Sequence, residues 1–172
     1  MNTKTLVTLS LFVGIGAVLH LVIPQIFLGM KPDMMLTMMF LGILLFPRKK
    51  NVLLLGVVTG ILSGITTSFP GGLIPNIIDK ILTSFIFFGL FLLISKRLKS
   101  MLAIIILTII GTLVSGVIFL TSAYFIFSLP DSFKALFSVV VLPATVLNSI
   151  TLFILYPIVN TIIKRTTIAE NI

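Results

Sequence analysis

Six long apolar runs set the rhythm of the chain: Thr5 to Ile23, Met34 to Phe46, Val52 to Phe69, Pro75 to Ile94, Met101 to Phe127 and Pro143 to Ile163. Runs of this length predict helices that cross, or nearly cross, a lipid bilayer. Turn residues separate them. Pro47 precedes Arg48-Lys49-Lys50, Pro70-Gly71-Gly72 follows the third run, and Pro130-Asp131-Ser132 follows the fifth. Pro75 and Pro143 suit a first helical turn, where a missing N–H does no harm, so helices 4 and 6 are expected to begin about there. The stretch Asp131 to Val141 fits an outer loop, an interfacial helix or the first turns of helix 6. The expected fold is an all-α membrane bundle of six transmembrane helices forming one domain over residues 1–172, without an internal repeat or linker.

Composition makes lipid the solvent. Of 172 residues, 58% are hydrophobic and 9% are charged, and the mean hydropathy is +1.31, which excludes an ordinary water-soluble domain. The net charge of +8 comes in small clusters between apolar runs, a pattern of topology and not of nucleic-acid binding. Lys4, Arg48 to Lys50, Lys96, Arg97, Lys99, Lys164 and Arg165 fall on one side, against Lys31 and Lys134 on the other, with Lys80 just inside helix 4. Cationic loops resist translocation, so both termini are expected in the cytoplasm and the protein in the cell membrane as a multi-pass protein. With no cysteine, disulfide and thiolate chemistry are excluded. The run after Lys4 exceeds a signal-peptide core and lacks a cleavage motif, so it reads as a retained first helix.

Helix 2 is short. Met34 to Phe46 reaches only about 20 Å at 1.5 Å per residue, against a hydrocarbon core near 30 Å. Its cytoplasmic end is pinned by Arg48 to Lys50, so Pro24 to Asp33 is expected to dip into the membrane against other helices, making a pocket that opens outward.

The candidate chemistry collects at that outer side. Asp33, Asp79 and Asp131, three of only four acids, map to outer helix ends together with Lys31, Lys80 and Lys134. An ionisable group within a span costs about 2.5–3.5 kcal/mol and is paired or faces an aqueous cavity, so Asp79 and Lys80 are expected to face inward. Asn76 lies three residues before Asp79 and four before Lys80, which puts the three on one helix face. They suit a polar ligand; alternatively, Asp79 stabilises the start of helix 4 and Lys80 snorkels outward. Gly29-Met30-Lys31-Pro32-Asp33 suits a loop folding over a ligand, with Asp33 capping helix 2 as the plainer role. Asn148 either binds ligand or hydrogen-bonds between helices. Met30, Met34, Met35, Met38 and Met39 surround an aromatic ring or simply fill the core. His20 has no second ligand at metal spacing, so no metal site is expected. Ser10 and Gly14 form a small-xxx-small pair that admits a close helix, from this chain or another.

The sequence has no phosphate loop, no H-E-x-x-H and no serine nucleophile with a base, so it is expected to be no enzyme, and an importer built on it needs another subunit for energy. With six helices, cytoplasmic termini and small residues at the helix 1 contact position, it resembles the S components of energy-coupling factor (ECF) transporters. Ser10 and Gly14 stand where that family carries two alanines. More narrowly it resembles the bacterial tryptophan transporter family through Gly29-Met30-Lys31-Pro32-Asp33-Met34-Met35, Gly42-Ile43-Leu44-Leu45-Phe46-Pro47, Pro75-Asn76-Ile77-Ile78-Asp79-Lys80 and Leu142-Pro143-Ala144 with Asn148. The resemblance implies a substrate-binding subunit of an ECF-type importer, with tryptophan as substrate. Its partners would be a T-type membrane subunit, contacted through Ser10 and Gly14, and two ATPases that use ATP; this chain itself would hold no cofactor. For a zwitterionic aromatic amino acid, Asp79 or Asp33 would take the ammonium, Lys80 or Lys31 the carboxylate, Asn76 or Asn148 the indole nitrogen, and Met30, Met34 and Phe69 the ring. The alternatives are an S component for a vitamin or other aromatic compound, a structural membrane protein, and a self-sufficient secondary transporter.

Overall fold

The computed structural model describes residues 2–24, 32–95, 101–127 and 129–165. Among them are six long helices: α1 (Thr3–Val22), α2 (Met34–Leu45), α3 (Lys49–Ile65), α4 (Leu73–Ser95), α5 (Met101–Phe127) and α6 (Phe133–Arg165). No strand forms among the described residues. By length and composition α1, α4, α5 and α6 can each cross a membrane, while α2 and α3 are shorter. Successive helices run antiparallel. Gly42 of α2 lies against Leu9 of α1 and Leu55 of α3, Gly60 of α3 against Ile77 of α4, Gly111 of α5 against Phe87 of α4, and Gly116 of α5 against Val141 of α6.

The bundle is apolar outside and keeps many of its polar side chains within. Val22, Leu93, Leu102 and Phe125 are exposed, whereas Thr37, Asp79, Lys80, Thr83, Thr108 and Asn148 are buried. Only a lipid solvent makes that distribution favourable, because in hydrocarbon the polar groups must find partners inside.

Helix α2 is the axis of the molecule. All twelve of its residues are buried, as expected of a helix that is hydrophobic all round. It packs against α1, α3, α4 and α6. At about 18 Å it stops short of the bilayer thickness, so its N-terminus ends inside the bundle.

Three expected boundaries move. Helix α3 begins at Lys49 and ends at Ile65, so Lys49 and Lys50 occupy its first turn and Phe69 lies in the connection to α4. That connection turns at Gly71, whose φ of 70° favours glycine. Helix α4 starts at Leu73, which still leaves Pro75 in its first turn. The larger correction is at Pro143, which is not in a first turn: α6 begins ten residues earlier, at Phe133, with Ser132 Oγ accepting from the Ala135 N–H at 3.2 Å. The helix passes the proline by way of a π turn, Phe137–Val141, in which the Leu142 N–H donates to the Phe137 carbonyl. This places the displaced hydrogen-bond ladder directly before the residue whose ring and missing donor would disrupt a regular one.

A row of glycines draws α3 onto α4. A Cβ at Gly60 would lie 3.0 Å from the Ile77 Cα, one at Gly64 would lie 2.9 Å from the Leu73 carbonyl oxygen, and one at Gly56 would meet Ser84 Oγ at 2.5 Å. The helices touch through their backbones, the small-xxx-small mode of membrane packing, and this fixes the height of Asn76, Asp79 and Lys80 in the bundle.

Candidate functional site

Because α2 stops inside the bundle, the residue that caps it becomes part of the interior. Asp33 Oδ1 accepts from the Leu36 N–H at 3.0 Å, an ordinary N-cap. The other oxygen, Oδ2, accepts from Lys80 Nζ at 2.9 Å. Lys80 also donates to Asp79 Oδ2 at 2.8 Å, so one ammonium bridges two carboxylates on different helices. The Lys80 side chain is 3% exposed and that of Asp79 1%, against 27% for Asp33. Lys80 therefore does not snorkel outward, and Asp33 is the accessible acid of the cluster.

Two hydroxyls also donate to Asp79. Thr83 Oγ1 donates to Oδ1 and Ser115 Oγ to Oδ2, each at 2.8 Å. Four residues separate Asp79 from Thr83, which places them on one face of α4, while Ser115 reaches across from α5. From α6, Asn148 Oδ1 accepts the backbone N–H of Asp33 at 2.8 Å, and its Nδ2 donates to Thr112 Oγ1 at 3.4 Å. The His20 ring, at the end of α1, comes within 3.8 Å of Asp33 Oδ1. With His20 neutral, this network carries one negative charge in excess, in a place where an unmatched charge is costly.

Above the network lies a cavity of about 420 Å³, within the size range of small-molecule sites. Its base holds Asp33, Asp79, Lys80, Ser115 and Asn148, and its far end reaches Pro70 and Pro130 in the connections. The walls are apolar, with Phe69 and Phe119 packed edge to face at 5.2 Å between ring centres. A charged floor under aromatic walls can hold a ligand that is zwitterionic at one end and apolar at the other.

Of the residues expected at a site, Asp33, Asn76, Asp79, Lys80, Asn148 and Phe69 all line this cavity. Asn76 donates through Nδ2 to the Gly72 carbonyl at 2.7 Å. Met34 does not line it but packs in the core, on the side of α2 that lies against Gly16 of α1, while Leu36 of the same turn reaches the cavity. Met30 and Lys31 lie outside the described residues. Ser10 and Gly14 are exposed on the outer face of α1, and a Cβ at Gly14 would meet nothing within 4 Å. Sequence reasoning missed Thr83, Thr112, Ser115 and Phe119. Hydroxyls and phenylalanines are common in membrane helices, so only the four-residue spacing from Asp79 to Thr83 offered a signal. Among the described residues no group of His, Cys, Asp and Glu is suited to a metal.

The family model described as "Tryptophan transporter TrpP" matches residues 2–164. A "Probable tryptophan transport protein" of Bacillus subtilis (strain 168) is 58% identical over 170 residues, covering 99% of this chain and 98% of the relative. Proteins of the same description from Clostridium acetobutylicum and Clostridium perfringens are 47% and 39% identical, over 87% and 95% of this chain and 88% and 95% of those relatives. No solved structure matches the chain. An apolar-surfaced bundle with several membrane-spanning helices and a ligand-sized polar-floored cavity agrees with a transport role, and the chain belongs to the tryptophan transporter family as a multi-pass membrane protein.

Proposed function

We propose that this chain is the high-affinity substrate-binding membrane subunit, or S component, of an ECF-type importer for tryptophan. The observation that carries the reading is the Asp33–Lys80–Asp79 bridge at the floor of an aromatic-walled cavity. The substrate ammonium takes Asp33, the accessible carboxylate, and the substrate carboxylate takes Lys80, assisted by the positive end of the α2 dipole. Asp79, buried and accepting from Lys80, Thr83 and Ser115, is a positioning residue that holds Lys80 upright. The indole ring lies along Phe69 and Phe119. The relatives' description as probable tryptophan transport proteins supports the choice of ligand.

The partners in this reading are a T-type membrane subunit and two ATPases, which consume the ATP. The open face of α1 around Ser10 and Gly14 supports docking to another chain, since among the described residues nothing lies within 4 Å of a Cβ placed on Gly14. Uptake of labelled tryptophan into cells or proteoliposomes tests it. Import is expected only when this chain is present together with T-type and ATPase subunits and ATP. Import by this chain alone, driven by an ion gradient, would instead identify a secondary transporter.

A further inference from the structure

One serine hydroxyl at the wall of the cavity has no hydrogen-bond partner among the described residues. Hydroxyls on these helices are as a rule tied to the backbone: Thr8, Thr66, Thr108, Thr145, Ser149 and Thr151 each donate to the carbonyl four residues back at 2.7–2.9 Å. Ser63 of α3 is different. It is only 3% exposed, its Oγ has no hydrogen-bond partner, and it lines the cavity. A buried polar group left unmatched costs free energy, most of all inside a membrane. Such a group at a cavity wall is explained by a ligand that supplies the missing bond.

Its height in the bundle says which part of a ligand it meets. Gly56 faces Lys80, Gly60 faces Asn76 and Ile77, and Gly64 faces Leu73. Ser63, seven residues along α3 from Gly56, therefore stands about 10 Å above the level of the Lys80 backbone at 1.5 Å per residue, and less above the ammonium that its side chain carries to Asp33. A tryptophan held by its ammonium can reach that height, since from ammonium nitrogen to indole nitrogen with a hydrogen bond at each end it spans up to about 12 Å. The other candidates for the indole nitrogen are less well placed: Asn148 spends both amide atoms on Asp33 and Thr112, and Asn76, whose Nδ2 donates to the Gly72 carbonyl, stands level with Gly60, nearly a turn below Ser63.

We propose that Ser63 is a specificity-determining residue whose Oγ accepts a hydrogen bond from the ring N–H of the bound aromatic amino acid, selecting a nitrogen heterocycle over an equally large ring without that donor. This rests on the tryptophan-binding reading above. The test is a cycle of protein and ligand changes, with dissociation constants measured by titration calorimetry on detergent-purified full-length protein. The ligands are tryptophan and 3-benzothienylalanine, in which sulfur replaces the ring N–H. Wild type is expected to favour tryptophan by about five- to tenfold, the worth of one such bond. In Ser63→Ala that preference should fall to within about twofold of none, through weaker tryptophan binding alone. Thr59→Ala serves as the packing control, because Thr59 is also buried with a partnerless Oγ1 but does not line the cavity; it should leave the preference intact. Retention of the preference in Ser63→Ala, or its equal loss in Thr59→Ala, would overturn the assignment while leaving tryptophan binding standing. Absence of tryptophan binding by the folded wild type would instead overturn the underlying reading, and this inference with it.

Discussion

Replacing Lys80 with methionine should destabilise the bundle far more than removing Lys80 and the charge of Asp79 together. Lys80→Met keeps the length of the side chain but deletes the cation that bridges Asp33 and Asp79 at 2.9 and 2.8 Å. Asp33, with 27% of its side chain exposed, can be solvated from the cavity; Asp79, at 1%, cannot. The single variant therefore strands one carboxylate in the interior, a change that costs about 3–5 kcal/mol when a buried pair is broken from one side. For a chain of this size that corresponds to a fall of roughly 6–20 °C in melting temperature. Asp79→Asn in the same background neutralises the stranded charge while keeping groups that can pair with Thr83 and Ser115, so the double variant should recover most of the loss. Thermal unfolding of the purified variants in one detergent, followed by circular dichroism, measures all four corners of the cycle. A Lys80→Met protein that melts with wild type, or a double variant no more stable than the single, would refute the view that Asp79 and Lys80 are a desolvated pair.

Other consequences are open to direct checks. Gly60→Leu should prevent stable folding, because its Cβ alone would sit 3.0 Å from the Ile77 backbone, whereas Gly14→Leu should fold normally yet lose co-purification with T-type and ATPase subunits; retained co-purification would move the docking contact off α1. A cysteine at Asp131 should react with an impermeant reagent applied to intact cells and one at Lys49 should not, since both positions are exposed at opposite ends of the bundle; the reverse pattern would invert the orientation. Phe119→Ala removes one of the two packed aromatic walls and should weaken tryptophan binding by about tenfold, the scale of a buried aromatic contact; unchanged affinity would place the ring elsewhere.

Much of this arrangement was legible in the chain before its structure, and the reasons differ from element to element. The shortness of helix 2 followed from counting residues against the bilayer, and it already implied that Asp33 ends up inside. The inward orientation of Asp79 and Lys80 followed from the cost of exposing them to lipid. What counting could not supply was which charges meet: Lys80 and Asp33 are 47 residues apart, and only the side-by-side, parallel packing of α2 and α4, which also stacks Phe40 on Phe87, brings them together. Pro143 misled because a proline marks a helix start in most contexts, and nothing local distinguishes that use from a proline tolerated behind a π turn. The glycine row of α3 and the hydroxyl partners of Asp79 stayed hidden for a related reason, since small and hydroxyl residues are frequent in membrane helices and acquire meaning only from what stands opposite them.

The central claim is that the cavity grips both charged groups of an aromatic amino acid, and titration calorimetry of detergent-purified protein with tryptophan and with indole tests it most directly. Indole shares the ring but lacks the ammonium and carboxylate. Tryptophan should bind tightly to the wild type, with indole, riboflavin, biotin and thiamine binding weakly or not at all. Asp33→Asn should weaken tryptophan binding by about tenfold to a hundredfold, the worth of a charge-assisted hydrogen bond of roughly 1.5–3 kcal/mol. Indole binding as tightly as tryptophan, or an Asp33→Asn protein with wild-type affinity, would contradict the charged floor and leave an apolar slot as the whole of the site.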